Sequence, residues 1–148
     1  MTRETAWRGR GATLEALLWL VLARLLIAAV PFGRWRKWLG APVQPETSSP
    51  AKRLDANLAQ RRLARAVERA AGRLPGESLC LPRAIALQWM LRRRNFGGVI
   101  HIGVRPSQQR GSLDDLHAWV TRDGEVLIGA NEVPHAALFA AENPVSPS

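Results

Sequence analysis

The chain has a single cysteine, Cys80, among its 148 residues. One cysteine cannot form an internal disulfide, which makes a reducing cytoplasm the default compartment. Paired Cys/His spacing of the kind that holds structural zinc is absent, and no metal or other cofactor is expected. Glu15 and Arg24 break the one long apolar run, so no uninterrupted stretch of the roughly 20 apolar residues needed to cross a bilayer occurs. The position of Arg24, with no clean small-x-small site after it, also argues against a cleaved signal peptide. No basic segment alternates with aromatics at a base-stacking spacing, so nucleic acid is not an expected partner. No internal repeat is visible.

What is present is enough for one real core: 47% of the residues are hydrophobic. The net charge of +9 is unevenly spread. Up to Asn95 there are 18 Lys and Arg against 6 Asp and Glu, and from Phe96 onward 3 against 6. A basic half of this kind suits an anionic lipid surface or an acidic peptide.

Taken in order, Ala12 to Val30 predicts a strongly apolar helix, with Leu14, Leu17, Leu18, Val21, Leu22, Leu25 and Leu26 at helical spacing and Pro31 ending it. Burial against the domain or a partner is the plain expectation for it. Peripheral membrane contact is the sharper one, helped by Trp19, Trp35, Trp38 and the cations Arg34, Arg36 and Lys37. Phe32 to Leu39 reads as a second short helix, and the Pro- and Ser-rich stretch after it as a linker. Leu54 to Leu74 predicts an amphipathic helix, along which Arg61, Arg65, Arg69 and Arg73 form a basic stripe. Such a stripe is an ordinary solvated face, or else a surface for an acidic segment.

Pro75-Gly76 breaks the chain before the segment that matters most. Cys80 to Arg93 reads as a helix that is apolar nearly all round, with Pro82 in its first turn, where a missing N–H is harmless. Arg92, Arg93 and Arg94 suit its C-terminal end, and Gly97-Gly98 is the expected stop. Val99 to Arg105 predicts a strand. His117 to Arg122 and Glu125 to Ile128 predict a hairpin around Asp123-Gly124. Pro134 to Ala141 reads as a further short helix, and the last residues as a loose tail. The resulting division is an N-terminal helical arm over 1–40, a linker over 41–53, one α+β domain over 54–141 and a tail over 142–148.

Cys80 therefore stands where a loop becomes a helix. Unpaired backbone N–H groups and the helix dipole there favour a thiolate, which is the nucleophilic form. A cysteine nucleophile also needs a proton-shuttling histidine and a group that orients the imidazole. Of three histidines, His101 lies inside a strand and His135 follows a proline near the end. His117 is preferred: Asp114 and Asp115 before it belong to an open polar loop, and Ala118-Trp119-Val120 anchor it to a sheet. Against this, a lone cysteine also occurs as a small buried hydrophobe, and His117 as a plain edge residue. For the third group, counting back along the hairpin sets His117 opposite Ala130. Asp123 is six residues away, about 20 Å along a strand at roughly 3.3 Å per residue, too far to orient the ring. Asn131 beside Ala130 is the candidate, with Glu132 as the neighbouring alternative.

At these residues the chain resembles a known family. The ordered motifs Ser78-Leu79-Cys80-Leu81-Pro82-Arg83, Ile102-Gly103-Val104-Arg105 and His117-Ala118-Trp119-Val120 are similar to those of the lasso-peptide B proteins. The likeness is to their transglutaminase-like, papain-like cysteine protease half, the leader peptidase. It covers about Leu54 to Phe139. It implies an α+β core with the cysteine helix packed on a small antiparallel sheet and the apolar helix as an N-terminal arm. It also implies hydrolysis of a precursor's leader peptide through a thioester. A small leader-recognition protein would present the precursor, and an ATP-dependent lasso cyclase would take the product. Many relatives carry an aspartate near the position of Gly129 to Asn131; this chain has none there, which leaves the third member of the triad open. An acyl transferase or a non-catalytic peptide-binding adaptor of the same fold is the alternative.

Overall fold

Helices fill most of the first part of the chain, broken by one two-residue strand, and the other strands follow in the second. The computed structural model describes residues 3–43, 54–76, 80–104, 116–122, 125–129 and 136–145. Its helices are α1 (Arg3–Ala29), α2 (Phe32–Trp35, followed by a 3-10 turn over Arg36–Leu39), α3 (Leu54–Ala71) and α4 (Cys80–Arg93). The strands are β1 (Ala41–Pro42), β2 (Val99–Val104), β3 (Leu116–Arg122), β4 (Glu125–Ile128) and β5 (Ala136–Glu142). They form one antiparallel sheet in the order β1-β5-β2-β3-β4.

The sheet alternates as its sequence dictates. Ile100, Ile102, Ala118, Val120 and Ala141 are buried on the face that α4 covers. His101 and Trp119, directly opposite each other across β2 and β3, share the other face. On the helical side, α4 buries Ala84, Ile85, Ala86, Leu87, Met90 and Leu91, which is why it reads as apolar nearly all round. It lies between the sheet and a second layer made by α1 and α3. α1 enters the same core through Ala16, Leu20 and Ala23, and α3 through Leu63, Ala66, Val67 and Ala70.

The two charges that interrupt α1 are both put to use. The Glu15 carboxylate takes hydrogen bonds from Nη2 and Nη1 of Arg94, at 2.6 and 3.0 Å, and from Arg93 at 3.4 Å. Arg24 donates to the Pro75 carbonyl at 2.8 Å, just ahead of α4. Each fixes α1 to the domain. The hydrogen bond from Arg94 holds the Glu15 carboxyl below its ordinary value. A depressed carboxylate stabilises the fold above the ordinary carboxylate range and loses that contribution as pH falls through the folded-state value. Glu15→Gln is expected to cost about 1 kcal/mol, lowering the melting midpoint by about 3 °C near neutrality. Calorimetry at pH 7 and at acid pH checks this: the gap between the two proteins should close in acid.

Two expectations are corrected. The glycine pair does not end α4. Asn95 does, in the left-handed region at φ 56°, with Phe96 N–H bonded to Leu91 O at 2.9 Å and Asn95 N–H to Arg92 O at 3.0 Å. The segment expected as a C-terminal helix is strand β5, paired with β2 from Val99↔Glu142 to Val104↔Ala136. The arginine stripe is a solvated face: Arg61, Arg65, Arg69 and Arg73 are all exposed. Arg61 pairs with Glu125 on β4, and Arg69 donates to Thr13 on α1 at 3.3 Å.

The ends of the described segments are tied in as well. Ala41 and Pro42 pair with Glu142 and Ala141, and buried Asn143 donates from its side chain to Gln88 O at 2.9 Å. Fully buried Gln88 is the central polar fastener. Its amide nitrogen lies 3.1 Å from Leu39 O, 3.2 Å from Gly98 O and 3.3 Å from Ala141 O. Those carbonyls belong to three separate segments, which the one side chain ties together.

Candidate active site

Cys80 is the first residue of α4, so its backbone N–H is among those with no partner inside the helix. The helix cannot shift easily, because its next turns are locked in the core through Ala84, Ile85 and Leu87. His117 is the second residue of β3, where pairing with Gly103 of β2 fixes its backbone. The two meet at one cavity of about 360 Å³, which is also lined by Glu68, Arg83 and the β4 stretch from Val126 to Gly129. Both side chains are partly exposed there, so substrate can reach them. Among the described residues, no group of three or more His, Cys, Asp or Glu could hold a metal ion.

The ring of His117 is oriented by the main chain. Its Nε2 lies 2.6 Å from the carbonyl oxygen of Gly129. A carbonyl can only accept, so Nε2 carries the proton and Nδ1 is the basic nitrogen. Gly129 reaches this place because β4 departs from regular pairing. Arg122↔Glu125 and Thr121↔Val126 follow the expected hairpin, but a bulge intervenes before Val120↔Ile128. Beyond the bulge Gly129 takes φ 81°, over the Ala118–Trp119 backbone. The straight count along the hairpin lacks that extra residue. Asn131 and Glu132, the side chains expected behind His117, lie outside the described residues, as does Asp123.

A ladder of rings supports the same histidine. Trp119 stacks on His117 at a centroid distance of 5.8 Å and on His101 at 5.1 Å, tilted by 19° and 7°. His101 is itself held by Thr121 Oγ1 at 2.8 Å, and burial pushes its pKa down. It is placed inside the sheet rather than at the cavity.

Two charged lining residues had no role assigned from sequence, although Arg83 stands in the cysteine motif. Arg83 follows Cys80 by three positions, one helical turn, and pairs with Glu68 of α3 at 3.3 Å. The spacing to the cysteine was a usable signal for Arg83. Glu68 had none, because its place depends on how α3 crosses the start of α4.

A histidine with an assigned basic nitrogen, lining one cavity with a helix-start cysteine, suits acyl transfer through a cysteine nucleophile. The family comparison agrees. The model of the transglutaminase-like superfamily matches residues 19–139, a span that takes in both Cys80 and His117. The chain belongs to that superfamily. Its fold is compatible with cysteine protease or acyltransferase-like activity. No curated protein and no solved structure matches the chain.

Proposed function

We propose that this chain is a cytoplasmic cysteine peptidase that removes the leader peptide from a ribosomally made lasso-peptide precursor. The observation that carries the catalytic part is the shared cavity of Cys80 and His117, with the imidazole oriented through Gly129 O. The ordered cysteine, Ile-Gly-Val-Arg and His-Ala-Trp-Val motifs support the choice of substrate. A small leader-recognition protein presents the precursor, and an ATP-dependent cyclase receives the freed core.

In this reading His117 Nδ1 takes the thiol proton as Cys80 Sγ attacks the carbonyl carbon of the bond joining leader to core. The C–N bond then breaks, and the same nitrogen returns the proton to the departing amine of the core. The leader is left as a thioester on Cys80. Water, giving a proton to Nδ1, attacks the thioester carbon, and the leader leaves as a carboxylic acid while the thiol re-forms. The backbone N–H of Cys80 faces the oxyanion at each tetrahedral stage. Nε2 keeps its hydrogen bond to Gly129 O throughout, so the positive charge on the ring is met by a carbonyl dipole. From its position in the sequence, Asn131 is the proposed further partner of the ring.

The test is mass spectrometry of the precursor after incubation with this chain and the leader-recognition protein. Hydrolysis is expected at the leader–core junction, with one water added across the two products. Products that retain an added amine would make the protein an acyl transferase. An intact precursor, together with a Cys80 that does not react with iodoacetamide at neutral pH, would make it an adaptor.

A further inference from the structure

The reaction leaves one large feature without a use. A helix that is apolar all round is normally covered all round, yet α1 is covered on one side only. Opposite the face that packs Ala16, Leu20 and Ala23, it presents Leu14, Leu18, Val21, Leu22 and Leu25, between 40% and 63% exposed. These positions recur at helical spacing and make a continuous apolar stripe about three turns long.

Apart from Glu15, which Arg94 and Arg93 hold, the charge around the stripe is positive. From Ala16 to Pro45 the sequence holds Arg24, Arg34, Arg36 and Lys37 and no acidic residue. Arg34, Arg36 and Lys37 are exposed just past the end of α1, among the exposed aromatics Phe32 and Trp38. Beside α1 an open apolar groove of about 660 Å³ is walled by Trp19, Trp38 and Trp89, with Arg92 and Arg93 also lining it. Tryptophan next to cations, flanking an apolar strip, is the composition of a membrane–water interface.

We infer that α1 lies along an anionic lipid surface, its leucine stripe in the acyl boundary and the Arg34–Lys37 cluster at the headgroups. Gly9–Ala29 is long and apolar enough to cross a bilayer by length and composition. Lying flat is favoured because spanning would pull Glu15 from Arg94, Arg24 from the Pro75 carbonyl and Ala16, Leu20 and Ala23 from the core. The charge pattern likewise favours lipid over a second copy, whose own cations would meet these.

Co-sedimentation of the full chain with vesicles tests this. Binding to phosphatidylcholine vesicles containing phosphatidylglycerol is expected to be about tenfold tighter than to phosphatidylcholine alone, and to weaken at high salt. Arg34→Gln, Arg36→Gln and Lys37→Gln together should remove the preference for the charged lipid. Leu14→Ser, Leu18→Ser and Leu25→Ser together should abolish binding to both. Since all six side chains are exposed, both variants should melt with the wild type; if the leucine variant does not fold, the charge variant and the salt response still decide. Equal binding to the two lipids overturns the inference, as does no binding with a dimer in light scattering. Resistance to salt and carbonate, with release by detergent alone, would make α1 a span and overturn it too. Leader cleavage plays no part in this assay, so the two readings stand or fall separately.

Discussion

Alanine at Cys80 is expected to reduce leader cleavage by at least about three orders of magnitude, and alanine at His117 by a similar factor. The first change removes the atom that forms the thioester. The second leaves a thiol with no base at its side and a departing amine with no proton donor. Because the two groups act on the same step, the double variant should be hardly slower than either single one, whereas independent contributions would multiply. Neither residue is in the apolar core, so the folded state should survive both changes, as circular dichroism can show. Single-turnover cleavage of the precursor, followed by mass spectrometry, is the measurement. Cleavage that persists in Cys80→Ala would move the chemistry to another group and end the proposal. Loss with His117→Ala but full activity of Cys80→Ser would call for a different nucleophile geometry.

How these residues come together was only partly readable from the chain. The boundaries of α4 were, because an apolar run, a proline in the first turn and a cluster of arginines at the end all give the same answer. The hairpin register near its turn was also legible, since Asp123-Gly124 fixes it locally. The failures share a different cause. Ala136–Glu142 is rich in alanine, the best helix former, yet it is a strand that pairs with β1 on one side and β2 on the other. Its small side chains let it sit between two other strands with Ala140 and Ala141 buried. Pairing on both edges satisfies more of its backbone than an isolated two-turn helix could, so tertiary context overrides propensity.

The site shows the same division. Cys80 and His117 announce themselves by residue type and position, and each keeps its chemistry wherever the backbone goes. The described partner of His117 Nε2 is a main-chain oxygen, a group every residue carries, so no inspection of residue types could select it. What selects it is a bulge in β4, and a bulge arises from the whole ladder rather than from a local motif. The roles of Glu15 and Arg24 follow the same logic. In sequence they look like interruptions of an apolar helix; in the fold they are its attachments to α4 and to the turn before it.

Gly129→Ala is expected to damage both the fold and the site. A Cβ at this residue would lie 2.5 Å from Ala118 O and 3.0 Å from both Cα and Cβ of Trp119, all of them firmly placed. The backbone is also at φ 81°, where only glycine is comfortable. Together these should cost about 3 kcal/mol and lower the melting midpoint by about 10 °C. Relief of the clash requires the strand to move or the peptide to turn, and either takes the Gly129 carbonyl from His117 Nε2. The ring then loses the acceptor that fixes its tautomer. Well below its melting point the variant should cleave about 10- to 100-fold more slowly, with the pH–rate profile of kcat displaced. Gln88→Leu separates this from plain destabilisation. It removes the buried donor to Leu39, Gly98 and Ala141 carbonyls and should cost a similar amount of stability. Gln88 does not line the cavity, so at the same distance below its midpoint its variant should keep the wild-type rate and pH profile. If Gly129→Ala and Gln88→Leu lose activity in parallel, and only as they unfold, the carbonyl contributes to the fold and not to the orientation of His117.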